Sequence, residues 1–164
     1  MSVVFEESGF RFDFSKCLSV YKADLVMYHD LSALDFVVEI DDYVLFIEVK
    51  NPDNPRAIGA SRKGFLADLC ERLYPYVISD EYKNELLRAW AQGRVFHKPI
   101  LCVFLLEFSM LSKTDRARLR ERIFNRIPFS LNKAEFGGEK HFEKRFELCS
   151  VDEFRALFPM ISVT

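Results

Sequence analysis

The chain has 164 residues, of which 49% are hydrophobic and 17 are phenylalanine. A chain of this length and composition buries well over half of the surface that it exposes when unfolded, so we expect one globular domain and exclude extensive disorder. The formal net charge of −2 hides an uneven distribution: residues 1–55 carry 4 Lys/Arg and 11 Asp/Glu, whereas residues 56–164 carry 19 and 14. This division suits a metal site beside polyanion-binding surfaces, but it suits ordinary solvated side chains as well.

The four cysteines are spread along the chain, with no C-x-x-C pair and none at ligand spacing from a histidine. This pattern predicts reduced, mostly buried thiols rather than a zinc site. No stretch reaches the ~18 uninterrupted apolar residues of a membrane span, and no basic segment followed by an apolar run opens the sequence. We therefore expect a cytoplasmic protein without membrane association.

Two segments before residue 33 carry short secondary-structure patterns. The sequence FRFDF at residues 10–14 alternates aromatic and polar side chains, which is typical of a half-buried strand. Downstream, Leu18, Tyr21, Leu25 and Tyr28 are spaced at three and four residues, and this spacing predicts a short helix.

The clearest strand pattern in the chain is a pair of apolar segments at residues 34–40 and 43–50, rich in Val, Ile, Phe and Leu. The polar pair Asp41-Asp42 between them predicts a two-residue hairpin turn. After the second strand, the sequence NPDNP at residues 51–55 ends the sheet, because proline lacks a backbone donor and Asn and Asp favour turns.

A two-residue turn fixes which residues face each other across this hairpin. One face is wholly apolar and must belong to the core; it pairs Ile40 with Tyr43, Val38 with Leu45, and Phe36 with Ile47. The other face brings Asp35 opposite Glu48, and Lys50 follows Glu48 there because strand side chains alternate with a period of two. Facing carboxylates repel each other, so we expect a positive group between them, either a divalent metal ion or the Lys50 ammonium group.

Beyond the hairpin, the chain alternates between helix and strand patterns. Helices are predicted over residues 62–78, from Ser79 or Asp80 to Gly93, and from Ser112 or Thr114 to Pro128, strands over 99–108 and 141–150, and a short closing helix over 151–158. This order predicts the α/β class, with a single domain and a central mixed β-sheet flanked by helices.

The segment LDFVVEIDDYVLFIEVKNP resembles the signature hairpin of the PD-(D/E)xK nuclease superfamily, whose members include restriction endonucleases and Holliday-junction resolvases. Over residues 10–127 the order of elements is also similar, which implies a restriction-endonuclease-like fold. In this resemblance Asp35 is the first motif acid, Glu48 the second and Lys50 the motif lysine. Leu34 stands where the name-giving proline would be, a departure that is common in the superfamily.

The resemblance also implies a metal-dependent site. Mg²⁺ or Mn²⁺ would be held by Asp35, Glu48 and the backbone carbonyl of Val49, and would supply charge opposite the phosphate. Lys50 would position or help deprotonate the attacking water, or stabilise the charge that develops on phosphorus. Many relatives add a glutamate from a helix before the hairpin, and four residues qualify for that role here: Glu6, Glu7, Asp13 and Asp24.

Basic residues outside the hairpin are candidates for nucleic-acid contacts, with DNA expected as substrate in preference to RNA. Arg56, Arg62 and Lys63 follow the hairpin directly and are well placed to approach a strand bound at the metal. A second set, Arg118, Arg122 and Arg126, lies at i, i+4 spacing and would neutralise phosphates or form a solvated helix exterior. Trp90 is expected in the core rather than as a base-stacking platform.

Two functions from different classes fit these residues. The first is a nuclease acting in defence or repair, with a homodimer or partner protein expected because cutting both strands of a duplex is easiest for two copies. The second is a binding or regulatory module that keeps the nuclease fold without turnover and acts within a protein complex. The intact Asp35, Glu48 and Lys50 favour the nuclease, and the modest net charge favours the module.

Overall fold

A computed structural model describes residues 3–23, 33–56, 62–70, 74–94, 96–127 and 145–164. The strands in these ranges are β1 (Val4–Glu7), β2 (Phe10–Asp13), β3 (Ser19–Lys22), β4 (Phe36–Glu39), β5 (Val44–Lys50), β6 (Ile100–Leu106), β7 (Phe146–Cys149) and β8 (Ser162–Val163). The helices are α1 (Arg62–Cys70), α2 (Tyr74–Ala91), α3 (Lys113–Arg126) and α4 (Val151–Leu157).

The main sheet has five strands in the order β3-β4-β5-β6-β7. β3, β4 and β5 pair antiparallel, whereas β5, β6 and β7 run parallel. Every residue of β6 is buried, as expected for a parallel strand covered on both faces. The predicted α/β class, a mixed sheet flanked by helices in one domain, is therefore confirmed.

The predicted hairpin register is confirmed between β4 and β5. Phe36 pairs with Ile47 and Glu39 with Val44. The turn at Asp41-Asp42 is closed by the Ile40 N–H, which donates to the Tyr43 carbonyl at 2.9 Å. Because the register holds, the two faces of the hairpin separate as the alternation requires.

The two faces of the main sheet belong to two different cores. The predicted apolar face, with Phe36, Val38 and Ile47, packs under a three-stranded sheet of order β1-β2-β8 and under α4. On this side Phe36 lies 5.2 Å from both the Phe12 and Phe14 rings, measured between centroids. The other face is covered by α1, α2 and α3, and it is also largely apolar, so the acids of that face lie inside a core rather than on a solvated surface.

Helices α3 and α4 begin where the sequence predicts. The Ser112 hydroxyl accepts from the Asp115 N–H at 3.1 Å at the start of α3, and Leu119 and Ile123 are buried. Ser150 and Glu153 form a capping box at the start of α4. Both helices therefore follow from local capping and apolar spacing.

The predicted boundary between the first two helices is wrong. The described part of α1 ends at Cys70. Helix α2 begins at Tyr74 rather than at Ser79 or Asp80. Ser79 lies inside α2, where its hydroxyl donates to the Tyr76 carbonyl at 3.0 Å and no longer serves as a cap. The predicted end at Gly93 is confirmed by its φ of 67°.

Two other predictions are corrected. Residues 19–22 form β3 rather than a helix, because Val20 and Tyr21 pair with Val38 and Val37 of β4 and this tertiary pairing overrides the helical spacing. The rest of that predicted helix lies outside the described residues. Trp90 is 78% exposed instead of buried in the core.

Among the parts of the chain that the structure describes, no helix has the length and apolar character needed to cross a membrane.

The β1–β2 turn is docked on the loop that follows β5. Ser8 and Gly9 both have positive φ, 51° and 85°. The Asn51 side-chain amide donates to the Ser8 carbonyl at 3.1 Å. A Cβ atom on Gly9 would lie 2.4 Å from the Asn54 amide nitrogen, so only glycine allows this close approach.

We expect Gly9→Ala to destabilise the protein more than Gly93→Ala, although both place alanine at positive φ. The backbone term should cost about 1–2 kcal/mol in each variant. In Gly9→Ala the Asn54 side chain must also move and give up the hydrogen bond that it accepts from the Arg56 N–H, at a further cost of about 1 kcal/mol. Urea unfolding measures both values, and the extra cost should vanish in an Asn54→Ala background. An equal loss in the two variants would show that the turn is not packed on this loop.

Candidate active site

Asp35 directly precedes β4, and its carbonyl still accepts a hydrogen bond from the Ala23 N–H at 3.0 Å beside β3. The β4–β5 ladder keeps the predicted register up to Phe36 and Ile47 and stops one pair short of Asp35 and Glu48. The Asp35 carboxylate instead accepts a hydrogen bond from the Val49 N–H at 2.7 Å, taking the place of a backbone carbonyl on a continuing strand. The prediction that Asp35 approaches the Glu48–Lys50 end of β5 holds, but through its side chain rather than through strand pairing.

Glu48 and Lys50 project together from the helix-covered face of β5. The Lys50 ammonium group donates to Glu48 Oε1. The Glu48 side chain is 1% exposed and the Lys50 side chain 36% exposed, so the pair opens to solvent on the lysine side. Glu48 Oε2 is buried and has no hydrogen-bond partner among the residues that the structure describes. The Lys50–Glu48 contact is the one expected between Lys50 and a carboxylate of the hairpin.

Helix α2 adds a carboxylate that the sequence analysis missed. Its sheet-facing stripe carries Tyr74, Ile78, Glu81, Glu85 and Arg88, spaced at three and four residues. Glu81 is buried, and within the described ranges its Oε2 atom also lacks a hydrogen-bond partner. The available signal was the spacing of Glu81, Glu85 and Arg88, which places them on one side of the helix predicted from Ser79 or Asp80 to Gly93. That this side faces the sheet follows only from the packing of α2.

A buried polar network holds α2 on the sheet. The Tyr21 hydroxyl of β3 donates to Glu85 Oε1. Arg88 Nη1 donates to the Ala23 carbonyl at 2.8 Å and to Glu85 Oε2 at 3.2 Å. Because Glu81 lies one helical turn before Glu85, this network fixes the height and rotation of Glu81 above β5.

Of the four acids considered for the additional metal ligand, three lie in the described part of the chain. Among these three, Glu7 acts on Asp35 and Glu48, which form a carboxylate cluster with Glu81 around Lys50. Glu7 ends β1, pairs with Lys22 at 2.9 Å and raises the pKa values of Asp35 and Glu48. Asp13 instead accepts from the Ser15 N–H at 2.9 Å, and Asp24 lies outside the described residues. Glu6 is exposed and lines a cavity at the β1–β2 turn.

Ser8 contacts the backbone group that the resemblance assigns as a metal ligand. Its hydroxyl donates to the Val49 carbonyl at 3.3 Å. Because the N–H and carbonyl of one strand residue point to the same side, both polar groups of Val49 face the gap beyond the end of β4. Asp35 takes the N–H and Ser8 takes the carbonyl, so the end of that gap is lined by polar groups.

The cluster is electrostatically crowded. Burial raises the pKa of Asp35 to about 8, and the negative charge of Glu48 adds to this shift. Burial likewise raises the pKa of Glu48 to about 8 despite the opposing effect of Lys50, and raises that of Glu81 to about 7. Burial acts against the charge of Lys50, but Glu48 and Asp35 outweigh it and raise the lysine pKa. Three carboxyl groups thus share one ammonium group, and they do not all ionise together at neutral pH.

The donor types of this cluster fit a hard divalent cation. Carboxylate and carbonyl oxygens are the ligands that Mg²⁺ and Mn²⁺ prefer. Two buried carboxylate oxygens, on Glu48 and Glu81, have no hydrogen-bond partner in the described part of the chain. No group of three or more His, Cys, Asp or Glu side chains within the described ranges is already arranged around a common metal position. The side chains of the cluster therefore match a divalent cation in the type of their ligand atoms. In the structure, the Lys50 ammonium group contacts Glu48.

The predicted nucleic-acid contacts are divided among three places. Arg56 lines the cavity that also borders Glu7 and Ser8. Arg62 pairs with Asp53 and donates to the Ser109 hydroxyl at 2.8 Å, while Lys63 is exposed at the start of α1. The α3 row is elsewhere: Arg118 and Arg122 line a small cavity with Leu69, and the Arg126 guanidinium group lies 3.3 Å from the centre of the Tyr76 ring.

Comparison of the chain with protein-family models, curated proteins and solved structures found no match. The PD-(D/E)xK resemblance therefore rests on the hairpin residues.

We expect Glu81→Gln to stabilise the protein at pH 8 by about 1 kcal/mol, because the amide removes a charge that burial and the nearby Asp35 disfavour. The sign follows from proton binding: between pH 4.5 and pH 8 the folded carboxyls keep protons that the unfolded chain releases, so the free energy of unfolding falls as pH rises. Urea unfolding across this range should show a shallower fall in Glu81→Gln.

The matched control is Glu121→Gln on the exposed face of α3, which should leave the pH dependence unchanged. A wild-type protein whose stability rises between pH 5 and pH 8 would contradict the raised carboxyl pKa values.

Proposed function

We propose that this protein is a metal-dependent nuclease that hydrolyses phosphodiester bonds in nucleic acid, DNA in preference to RNA, with a role in defence or repair. The observation that carries the proposal is the convergence of Asp35, Glu48 and Lys50 at one end of β5. Two of these groups are buried acids, which a fold does not keep without compensation. The third opens the cluster to solvent, where a phosphate could approach.

The chain would hold Mg²⁺ or Mn²⁺ through Asp35, Glu48 and the Val49 carbonyl, with Glu81 closing the cluster from the helix side. When bound, such a cation supplies positive charge opposite the phosphate and orients the attacking water. One carboxylate oxygen each of Glu48 and Glu81 supports this proposal, since it is a buried acceptor that receives no hydrogen bond from a described residue.

Lys50 would act as a positively charged donor to the phosphate. The carboxylates around it raise its pKa, so it keeps its proton at neutral pH. Its partial exposure allows the ammonium group to turn from Glu48 towards a non-bridging phosphate oxygen. There it would stabilise the negative charge that builds up as the water attacks. This role is favoured over that of a base, which requires an unprotonated amine.

A second function is supported by the same ion pair. Lys50 already neutralises Glu48 within the fold, so the cluster can exist as a structural element without any added cation. A binding or regulatory module that keeps the nuclease fold and acts in a protein complex would keep this ion pair between Lys50 and Glu48. The two functions differ in whether substitutions at the cluster change catalysis or only stability.

The direct test is cleavage of single- and double-stranded DNA and RNA in Mg²⁺ or Mn²⁺. Glu48→Ala and Lys50→Ala should each lower the cleavage rate by about 10²–10³-fold, because each removes a group that acts on the charge of the transition state. Addition of EDTA to the wild-type protein should abolish cleavage.

Glu39→Gln is the matched control, since Glu39 ends β4 at the turn end of the hairpin and pairs with Lys98. It should cleave as the wild type does. Cleavage that survives both cluster substitutions would place the activity elsewhere or in a contaminant. A folded wild-type protein without cleavage of any of the four substrates would favour the binding module.

A further inference from the structure

A cavity of about 330 Å³ is formed by the β1–β2 turn together with Arg56 and Thr164. Its lining includes Glu6, Glu7, Ser8, Phe10, Arg11 and Arg56. Ligand sites in proteins begin at about 300 Å³, so this cavity would take a ligand about as large as one nucleotide and would not admit a duplex.

The cavity and the carboxylate cluster share two residues. Glu7 lines the cavity and raises the pKa values of Asp35 and Glu48. Ser8 lines the cavity while its hydroxyl contacts the Val49 carbonyl at 3.3 Å. An extended ligand bound at the carboxylate cluster would therefore reach the cavity by passing over the β1–β2 turn.

Two arginine side chains line the cavity and are available to bind a ligand. The side chains of Arg11 and Arg56 are exposed, and neither is hydrogen bonded or ion paired to a described residue. The Glu7 carboxylate is already paired with Lys22 at 2.9 Å. Glu6 faces Arg11 across the β1–β2 hairpin without an ion pair between them in the described part of the chain, so the lining side chains offer two unpaired guanidinium groups and one unpaired carboxylate. Thr164 also lines the cavity, and its backbone N–H and carbonyl are hydrogen bonded to the backbone of Arg11.

We propose that this cavity binds one phosphodiester of an unpaired nucleic-acid strand, next to the phosphate held at the cluster; this inference rests on the proposed nuclease function. Arg11 and Arg56 would hold the phosphate, because a planar guanidinium group donates two parallel hydrogen bonds to phosphate oxygens. Phe10, which is partly buried at the cavity wall, offers an aromatic ring against which a base can stack. The substrate class is thus a single strand, or a duplex with a locally unpaired strand.

The test is binding of a fluorescein-labelled single-stranded oligodeoxynucleotide, followed by fluorescence anisotropy in EDTA so that cleavage does not interfere. Arg11→Ala and Arg56→Ala should each weaken binding about 3- to 10-fold, and each should reduce the slope of log affinity against log salt by about 0.7–1. Glu6→Gln should strengthen binding, because it removes the free carboxylate beside Arg11. Arg11→Gln, checked by circular dichroism, repeats the test if Arg11→Ala does not fold.

Lys16→Ala is the matched control. Lys16 is an exposed cation beyond the opposite end of β2 from Arg11, so its loss changes the net charge equally without touching the cavity. It should leave affinity and salt slope unchanged. Equal weakening by Lys16→Ala would reduce the effect to general charge attraction and overturn the proposed phosphate subsite.

The subsite and the proposed function fail in different ways. Binding that depends on Arg11 and Arg56, without cleavage in Mg²⁺ or Mn²⁺, would support the subsite and overturn the nuclease. Cleavage that depends on Glu48 while Arg11→Ala and Arg56→Ala leave affinity and KM unchanged would overturn the subsite alone. A folded wild-type protein that neither binds nor cleaves would overturn both.

Discussion

The placement of one ammonium group among buried carboxylates is the constraint on which this structure depends. Glu48 lies on a central strand and is almost fully enclosed, and Lys50 two residues later is the cation that contacts it. Asp35 and Glu81 add two more acids to the same space. A buried set of like charges lowers the stability of the fold unless the charges are balanced. We therefore expect these residues to have a function.

The surrounding elements hold this cluster from three directions. The parallel pairing of β5 with β6 places Phe104 beside Glu48, and the Tyr74 ring packs on Phe104. The Tyr21–Glu85–Arg88 network fixes the helix that carries Glu81. On the open side, the β1–β2 turn brings Glu7 and Ser8 to the end of β5. The cluster is therefore built on rigid elements, with solvent access at Lys50.

The hairpin could be predicted from sequence because its information is local. The alternation of side chains along a strand and the two-residue turn determine the register of the hairpin. They also place Glu48 and Lys50 on the same face of β5. Glu81 could not be found in this way, because its position depends on where α2 begins and on how that helix packs across the sheet. The same limit applies to β3, which exists through pairing with β4, and to the contact of Asp35 with Val49, which arises where strand pairing stops.

The central claim is that the carboxylates beside Lys50 form a cation site. It is tested most directly by adding Mn²⁺ in substoichiometric amounts and recording amide signals by NMR, since the paramagnetic ion broadens the signals of nearby nuclei. The amides of Asp35, Val49 and Glu81 should broaden first in the wild-type protein and remain sharp in Glu48→Gln. Broadening centred on exposed acids such as Asp152, or equal broadening in Glu48→Gln, would contradict a cation site at this cluster.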